Sequence, residues 1–252
     1  MSRILRCLLL AVCYPIRYLI RYEINLNTER IIRGINRDIR AARQRKALKS
    51  TVDYIDKNLS TVSSVDTNYS VITSALNKCD LSDKKLICEF GVFSGSTINH
   101  IATHTEYTVF GFDSFEGLPE KWRDGYESGH FSMSKLPTVL NNVVLIKGWF
   151  KDSLPIFLTE HEDDVGFLHI DCDLYTSTKT VFDLLKNRIK PGCVIVFDEY
   201  FNYPNWEDGE FKAFHEFLEE SYLSYEYLVY NRFHQQVAVK IKKASNVLEP
   251  LI

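Results

Sequence analysis

From residue 85 onward the chain alternates short, continuously apolar runs with amphipathic stretches. Most of these runs stop at an acidic residue or a glycine. KLICEFG (85–91), YTVFGFD (107–113), VVLIKG (143–148), VGFLHID (165–171) and GCVIVFD (192–198) have the length and composition of strands buried on both faces. STINHIATH (96–104), SLPIFLTEH (153–161), TKTVFDLLKNRI (178–189) and GEFKAFHEFLEES (209–221) read as helices, and Tyr69–Asn77 as a short one before the first strand. Repetition of this unit dictates an open α/β sheet, mostly parallel, with right-handed crossovers. YEYLVYN (225–231) and QQVAVKI (235–241), joined by three residues, read as a closing antiparallel hairpin.

Charge divides the chain before this pattern begins. Residues 1–50 hold 12 Lys/Arg against three acidic residues, a net of +9, whereas residues 51–252 hold 18 against 30, a net of −12. The organisation expected is a basic helical leader (1–50), a loosely structured connector rich in Ser, Thr and Asp (51–68), and an α/β domain (69–252). The leader's apolar run, Cys7 to Tyr14, is far shorter than the ~20 residues that span a bilayer. No small-residue cleavage site follows it, so a secretory signal is not expected. Arginines among apolar residues suit a helix lying on a membrane surface, or one packed on its own body or on a second copy as a homo-oligomer. An acidic body without a reader motif argues against nucleic acid as a partner. The six cysteines form no CxxC pair and read as reduced structural thiols of a cytoplasmic protein, peripheral to the membrane if the leader binds lipid.

Ligands of open α/β sheets bind beyond the carboxyl ends of the strands. The first strand ends CEFGVFSGST (88–97). Its Gly91 and Gly95 spacing is neither GxGxxG nor a P-loop. Glu89 sets a carboxylate beside the glycines, which suits a cationic ammonium better than a pyrophosphate. The second strand ends at Asp113, 18 residues after Gly95, where an acidic residue typically takes both hydroxyls of a ribose. The third brings Trp149 and Phe150, able to wall an adenine ring. The fourth and fifth, LHIDCDLY (168–175) and VFDEYFNYPNW (196–206), bring Asp171, Asp173, Asp198 and Glu199 together. Strand tips ~4.8 Å apart let such carboxylates share an ion. Their repulsion calls for a divalent cation, and all-oxygen ligands favour Mg²⁺ or Mn²⁺. His169 is expected to be a buried structural residue turned away from Asp171's partner positions.

EFGVFSGST, GFDSFEGLPEKW, HIDCDLYTSTKTVFDLLKNRIKPG and VFDEYFNYPNWEDGEFKAF together resemble the macrocin O-methyltransferase family over roughly residues 66–241. The resemblance implies a class I, S-adenosylmethionine-dependent sugar O-methyltransferase that needs a divalent metal, on a seven-stranded Rossmann-like sheet with the final hairpin. Glu89, Gly91 and Gly95, with Ser96 adjoining, would cradle the methionine part of the cofactor. Asp113 would hold the ribose, with Ser114 adjoining; Trp149, from the third strand end, is the candidate beside the adenine or else an ordinary core aromatic. Asp171 would bind metal, Asp173 would be the general base, and Asp198 with Glu199 would complete the metal site. Relatives often carry two consecutive Asp at that last position. The extra methylene of Glu199 is the departure.

The implied acceptor is a sugar or glycan. Phe115–Leu140, with three glycines and with Trp122, Tyr126 and Phe131 as stacking surfaces, is placed to act as a lid that excludes water. Two rival readings are a nicotinamide-dependent sugar oxidoreductase, which lacks its three-glycine fingerprint here, and a non-catalytic membrane-surface scaffold.

Overall fold

The computed structural model of the protein describes residues 3–82 and 84–244. The chain divides into two compact units between Lys46 and Ala47. Helix α1 (Arg3–Arg37) and the first half of α2 (Ile39–Asn58) form the first unit. Asp38 separates the two helices, and its carboxylate accepts the N–H of Ala41 at 3.0 Å, an N-cap for α2. The side chains of the Cys7–Tyr14 run, with both its cysteines, lie outside the described residues. From Ile16 onward α1 exposes large apolar side chains: Ile16, Leu19, Ile20 and Ile24 are each half or more accessible. No helix among the described residues is long and apolar enough to cross a membrane.

The second unit is built on an eight-stranded sheet in the order β1-β7-β8-β6-β5-β2-β3-β4. The strands are β1 (Ser64–Val65), β2 (Lys85–Phe90), β3 (Val109–Asp113), β4 (Val143–Lys147), β5 (Asp164–Ile170), β6 (Ile189–Phe197), β7 (Leu223–Asn231) and β8 (Val237–Lys243). All neighbours run parallel except β8, which lies antiparallel between β6 and β7. The sheet thus has one strand more than expected, because two-residue β1 is too short to show a periodicity. Chain order grows outward from β2 to β4 on one side and resumes with β5 on the other, so the topology switches direction between β2 and β5.

Alternation along the strands feeds two apolar layers. Ile87, Val109, Phe167, Val194 and Val196 meet α3 (Asn68–Leu76) and α4 (Ser96–Ala102) through Val71, Ile72, Ile98 and Ile101. Cys88, Phe90, Phe112, Leu168, Ile195 and Phe197 face the other way. They meet α5 (Phe150–Glu160), α6 (Tyr175–Leu185) and α7 (Glu210–Ser221) through Leu154, Phe157, Phe182, Phe214 and Phe217.

Residues 51–58, expected as loose connector, are instead the last turns of α2. Their polar composition conceals a stripe, Ala47, Thr51, Tyr54 and Ile55, of which Ala47 and Thr51 are buried and Tyr54 and Ile55 pack on the core. Cys79, Cys88, Cys172 and Cys193 are free thiols. Burial pushes all four of them up, Cys79 to about 12, so they are poor nucleophiles.

Phe182 is fully buried and stacks on Phe217 at 4.9 Å between centroids, with Phe214 and Phe197 within 6.2 Å. Phe182→Ala should lower the unfolding free energy by about 3–5 kcal/mol, read as a shifted denaturant midpoint.

Candidate active site

The backbone ladder carries the strand ends into register at the switch point. Phe90 pairs Ile170, and Ile170 pairs Phe197. The ladder then continues one step: Asp171 donates its N–H to the Phe90 carbonyl and Asp198 to the Ile170 carbonyl, each at 2.9 Å. Gly91, Asp171 and Asp198 therefore stand side by side just past the sheet. Gly91 has φ +91°, and a Cβ there would strike the carbonyl oxygen of Asp171, so both conformation and space demand glycine.

Oxygens of Asp171, Asp198 and Glu199 all lie within 4.8 Å of one another, so the longer Glu199 side chain does reach the group. Asp198 Oδ2 accepts from Gln236 Nε2 at 3.1 Å, but buried Oδ1 of Asp198 and Oε2 of Glu199 have no partner among the described residues. Burial, then the neighbouring carboxylates, push Asp171 and Glu199 well above the usual carboxylate range. Asp173, almost wholly buried, is pushed up to about 7 by burial and Asp198, against the guanidinium of Arg123. Its φ of +64° is a left-handed conformation that aspartate tolerates better than most side chains. A divalent cation fits this donor set: hard oxygens, two of them orphaned and buried, in a cluster that cannot hold its negative charge unaided.

The carboxylates line one side of a cavity of about 550 Å³. Asp113, Ser114 and Trp149 line another part of it. Asp113 ties the first two strand-end loops together, because Oδ2 accepts the N–H groups of Val92 at 2.8 Å and Phe93 at 2.9 Å, and Oδ1 that of Phe115 at 2.6 Å. Phe93 and Phe115 both have positive φ, a strained arrangement these bonds secure. Ser114 is buried, with its hydroxyl accepting the Glu116 N–H at 3.0 Å. Trp149 stands at the N-cap position of α5 with no side-chain capping bond.

Three of the expected cofactor residues stand elsewhere. Gly95 forms the left-handed entry to α4 and packs on Pro137 and Val139. The Ser96 hydroxyl shares a 2.5 Å hydrogen bond with that of Tyr69. Neither lines the cavity. Glu89 is fully buried behind Gly91, where Oε1 and His169 Nδ1 are 2.9 Å apart, and burial raises its pKa against the His169 hydrogen bond. Its Oε2 is left without a partner. His169 is buried as expected and is not among the groups that meet Asp198 and Glu199, but it does stand close to Asp171 itself. Residues two apart on a strand share a face, and ligand atoms of Glu89, His169 and Asp171 fall within 4.8 Å of one another.

Residues 115–140 hold no helix or strand and fold over the cavity. Leu118 and the 129–130 segment exchange backbone bonds at 2.8 and 2.9 Å, and Glu120 accepts from the Thr176 hydroxyl at 2.7 Å, latching this segment to α6. Trp122, Tyr126 and Phe131 line the cavity, as expected of a lid. Sequence reasoning missed Arg123, whose guanidinium stacks on Trp122 at 3.5 Å and lies 5.6 Å from the Tyr203 ring. It also missed Glu210, fully buried at the start of α7, which accepts the Glu199 N–H at 3.1 Å. The available signal was an acid on the apolar face of an amphipathic helix, in line with Ala213, Phe214 and Phe217.

Residues 88–200 match the family model described as a methyltransferase domain. Demethyldecarbamoylnovobiocin O-methyltransferase of Streptomyces niveus is 29% identical over 127 residues, 42% of this chain and 47% of that protein. A Streptomyces olivaceus enzyme, 8-demethyl-8-(2,3-dimethoxy-alpha-L-rhamnosyl)-tetracenomycin-C 4'-O-methyltransferase, is 28% identical over 115 residues, 38% of this chain and 43% of its own. The chain thus spans under half the length of these curated relatives. Among solved structures, the calicheamicin methyltransferase CalS11 superposes with a TM-score of 0.55 at 21% identity, over 69% of this chain and 78% of that one. The fold is that of the class I methyltransferases, and the match at residues 88–200 covers both the first and the last of the strand ends described above.

Gly91→Ala should displace Asp171. The expected outcome is a protein less stable by about 1–3 kcal/mol in chemical denaturation, since both steric clash and a disfavoured φ are imposed.

Proposed function

We propose that the chain is an S-adenosylmethionine-dependent O-methyltransferase that methylates a hydroxyl of a sugar or glycan, of the macrocin O-methyltransferase kind. The observation that carries this reading is the convergence of Asp171, Asp198 and Glu199, with orphaned oxygens, beside Asp173 under the lid. The relatives support this class of reaction, one being named for O-methylation of demethyldecarbamoylnovobiocin and the other, which supports the sugar, for that of a rhamnosyl tetracenomycin.

S-adenosylmethionine supplies an electrophilic methyl group on a sulfonium. Asp113, Ser114 and Trp149 are the residues that would hold it, with Gly91 giving its backbone close approach; Glu89 would act from behind, through His169, rather than by touching it. Asp171, Asp198 and Glu199 would hold a Mg²⁺ or Mn²⁺ ion, which would supply Lewis acidity to make a sugar hydroxyl a better nucleophile. Asp173 would take the proton the hydroxyl loses as the oxygen–methyl bond forms and the methyl–sulfur bond breaks, the leaving group departing as a neutral thioether. Arg123, stacked on Trp122 and facing Asp173, opposes the rise that burial imposes on that carboxyl and offers planar donors to acceptor hydroxyls. The lid aromatics wall the ring of the acceptor and keep water out.

The test is methyl transfer from labelled S-adenosylmethionine to a panel of glycosides and nucleotide sugars, with Mg²⁺ and with excess EDTA. Transfer abolished by EDTA and restored by metal is the expected result; undiminished transfer in EDTA removes the metal role. Asp173→Asn should leave cofactor and metal binding intact and lower turnover by ~10²–10⁴-fold, whereas Asp171→Asn should weaken metal binding itself.

A second element of the reading concerns α1. Its exposed Ile16, Ile20 and Ile24 recur every fourth residue with Arg17 and Arg21 beside them, in a leader of net charge +9. That combination supports peripheral attachment to an anionic membrane surface. The full chain should sediment with phosphatidylserine-containing vesicles and be released as salt rises; no sedimentation at low salt dismisses the attachment.

A further inference from the structure

We propose that Glu210 is a positioning residue of the metal centre, holding the peptide of Glu199 so that the Glu199 carboxylate meets Asp171 and Asp198. The proposal rests on the metal-centre reading above. Glu210 is the first residue of α7 and is fully buried, in a helix locked by Phe214 and Phe217 against Phe182. Its Oε2 accepts the Glu199 N–H at 3.1 Å, bridging 11 residues of loop. Its other oxygen is buried without a partner, and neither oxygen belongs to the group that converges within 4.8 Å. Glu210 is thus placed to act on the site through Glu199.

The loop between them is irregular and is tied elsewhere at Asn202 and Trp206, but the Glu210 bond falls on the Glu199 peptide itself. The loop carries two left-handed asparagines, Asn202 and Asn205, and a single 3₁₀ turn at Trp206–Asp208. Gly209 then enters α7 without a side-chain cap, since a Cβ there would strike the Tyr203 hydroxyl. Without an acceptor the buried Glu199 N–H would be unsatisfied, and the peptide could turn and carry the side chain with it. What matters in this role is an oxygen at the correct reach, and charge at Glu210 is secondary. The two demands separate cleanly. Glu210→Gln keeps the reach and removes the charge. Glu210→Asp keeps the charge and withdraws the acceptor by one methylene.

The experiment titrates Mn²⁺ into the full chain, with bound metal followed by electron paramagnetic resonance, for wild type, Glu210→Gln, Glu210→Asp and Asp171→Asn. Thermal melts without metal check that each variant is folded. The expected result is near wild-type Mn²⁺ affinity for Glu210→Gln and affinity weaker by about 10-fold or more for Glu210→Asp. Loss in both Glu210 variants, in neither, or in Glu210→Gln alone overturns the proposal while leaving the metal centre standing. A wild type that binds no more Mn²⁺ than Asp171→Asn overturns the metal centre itself, and the role of Glu210 with it.

Discussion

The repulsion among buried carboxyl groups at the β2–β5 switch point is the constraint around which this structure is organised. With oxygens within 4.8 Å and an effective dielectric of about 20, each pair would cost roughly 3 kcal/mol or more if both members were ionised, more than one ordinary hydrogen bond returns. No side-chain contact alone could hold such a group. The backbone does it: the ladder that pins Asp171 to Phe90 and Asp198 to Ile170 is continuous with strands whose side chains fill both apolar layers. The groups that moderate the charge are few and specific, namely His169 on Glu89, Gln236 on Asp198, and Arg123 facing Asp173. The remaining imbalance is what a divalent cation would answer.

The same economy of charge explains how the cavity is divided. Asp113 lies outside the cluster and spends its oxygens on three backbone N–H groups, so it is a joint between loops as much as a ligand surface. On the opposite side, α2 buttresses the loop that follows Glu199. The Ser50 hydroxyl accepts from the Trp206 indole at 3.0 Å, the Thr51 hydroxyl accepts the Asn202 N–H at 2.9 Å, and Tyr54 shares a 2.5 Å bond with Tyr227. The end of α2 is therefore part of the α/β unit.

That buttress marks where sequence reading ran out. The parallel sheet, its closing hairpin and the acidic strand ends were legible because buried strands leave unbroken apolar runs, and the switch-point rule says where their ends must matter. The helical state of residues 51–58 was not, since Ser50, Thr51 and Tyr54 are polar residues serving a packed face through hydrogen bonds that hydropathy does not register. Strand alternation places His169 on the face it shares with its partner Glu89 and close to Asp171, while the strand ends bring Asp198 and Glu199 to Asp171 without it. Glu89 shows a different limit. A motif locates a carboxylate along the chain, but only the three-dimensional register Glu89↔His169 shows it consumed by a buried partner.

Glu199 shows how a departure from an expected pattern is absorbed locally. An aspartate carries its carboxylate one methylene closer to the backbone, so the same three oxygens can converge here only if the peptide at 199 lies correspondingly further back. A longer side chain also has one more rotatable bond to freeze. Both demands are met by fixing the backbone from behind. Glu199 is almost wholly buried, its N–H is taken by Glu210, and Glu210 is carried by a helix seated on the Phe182–Phe217 stack. The position of a carboxylate in the site is thus set by aromatic packing in the α6–α7 layer, through one hydrogen bond.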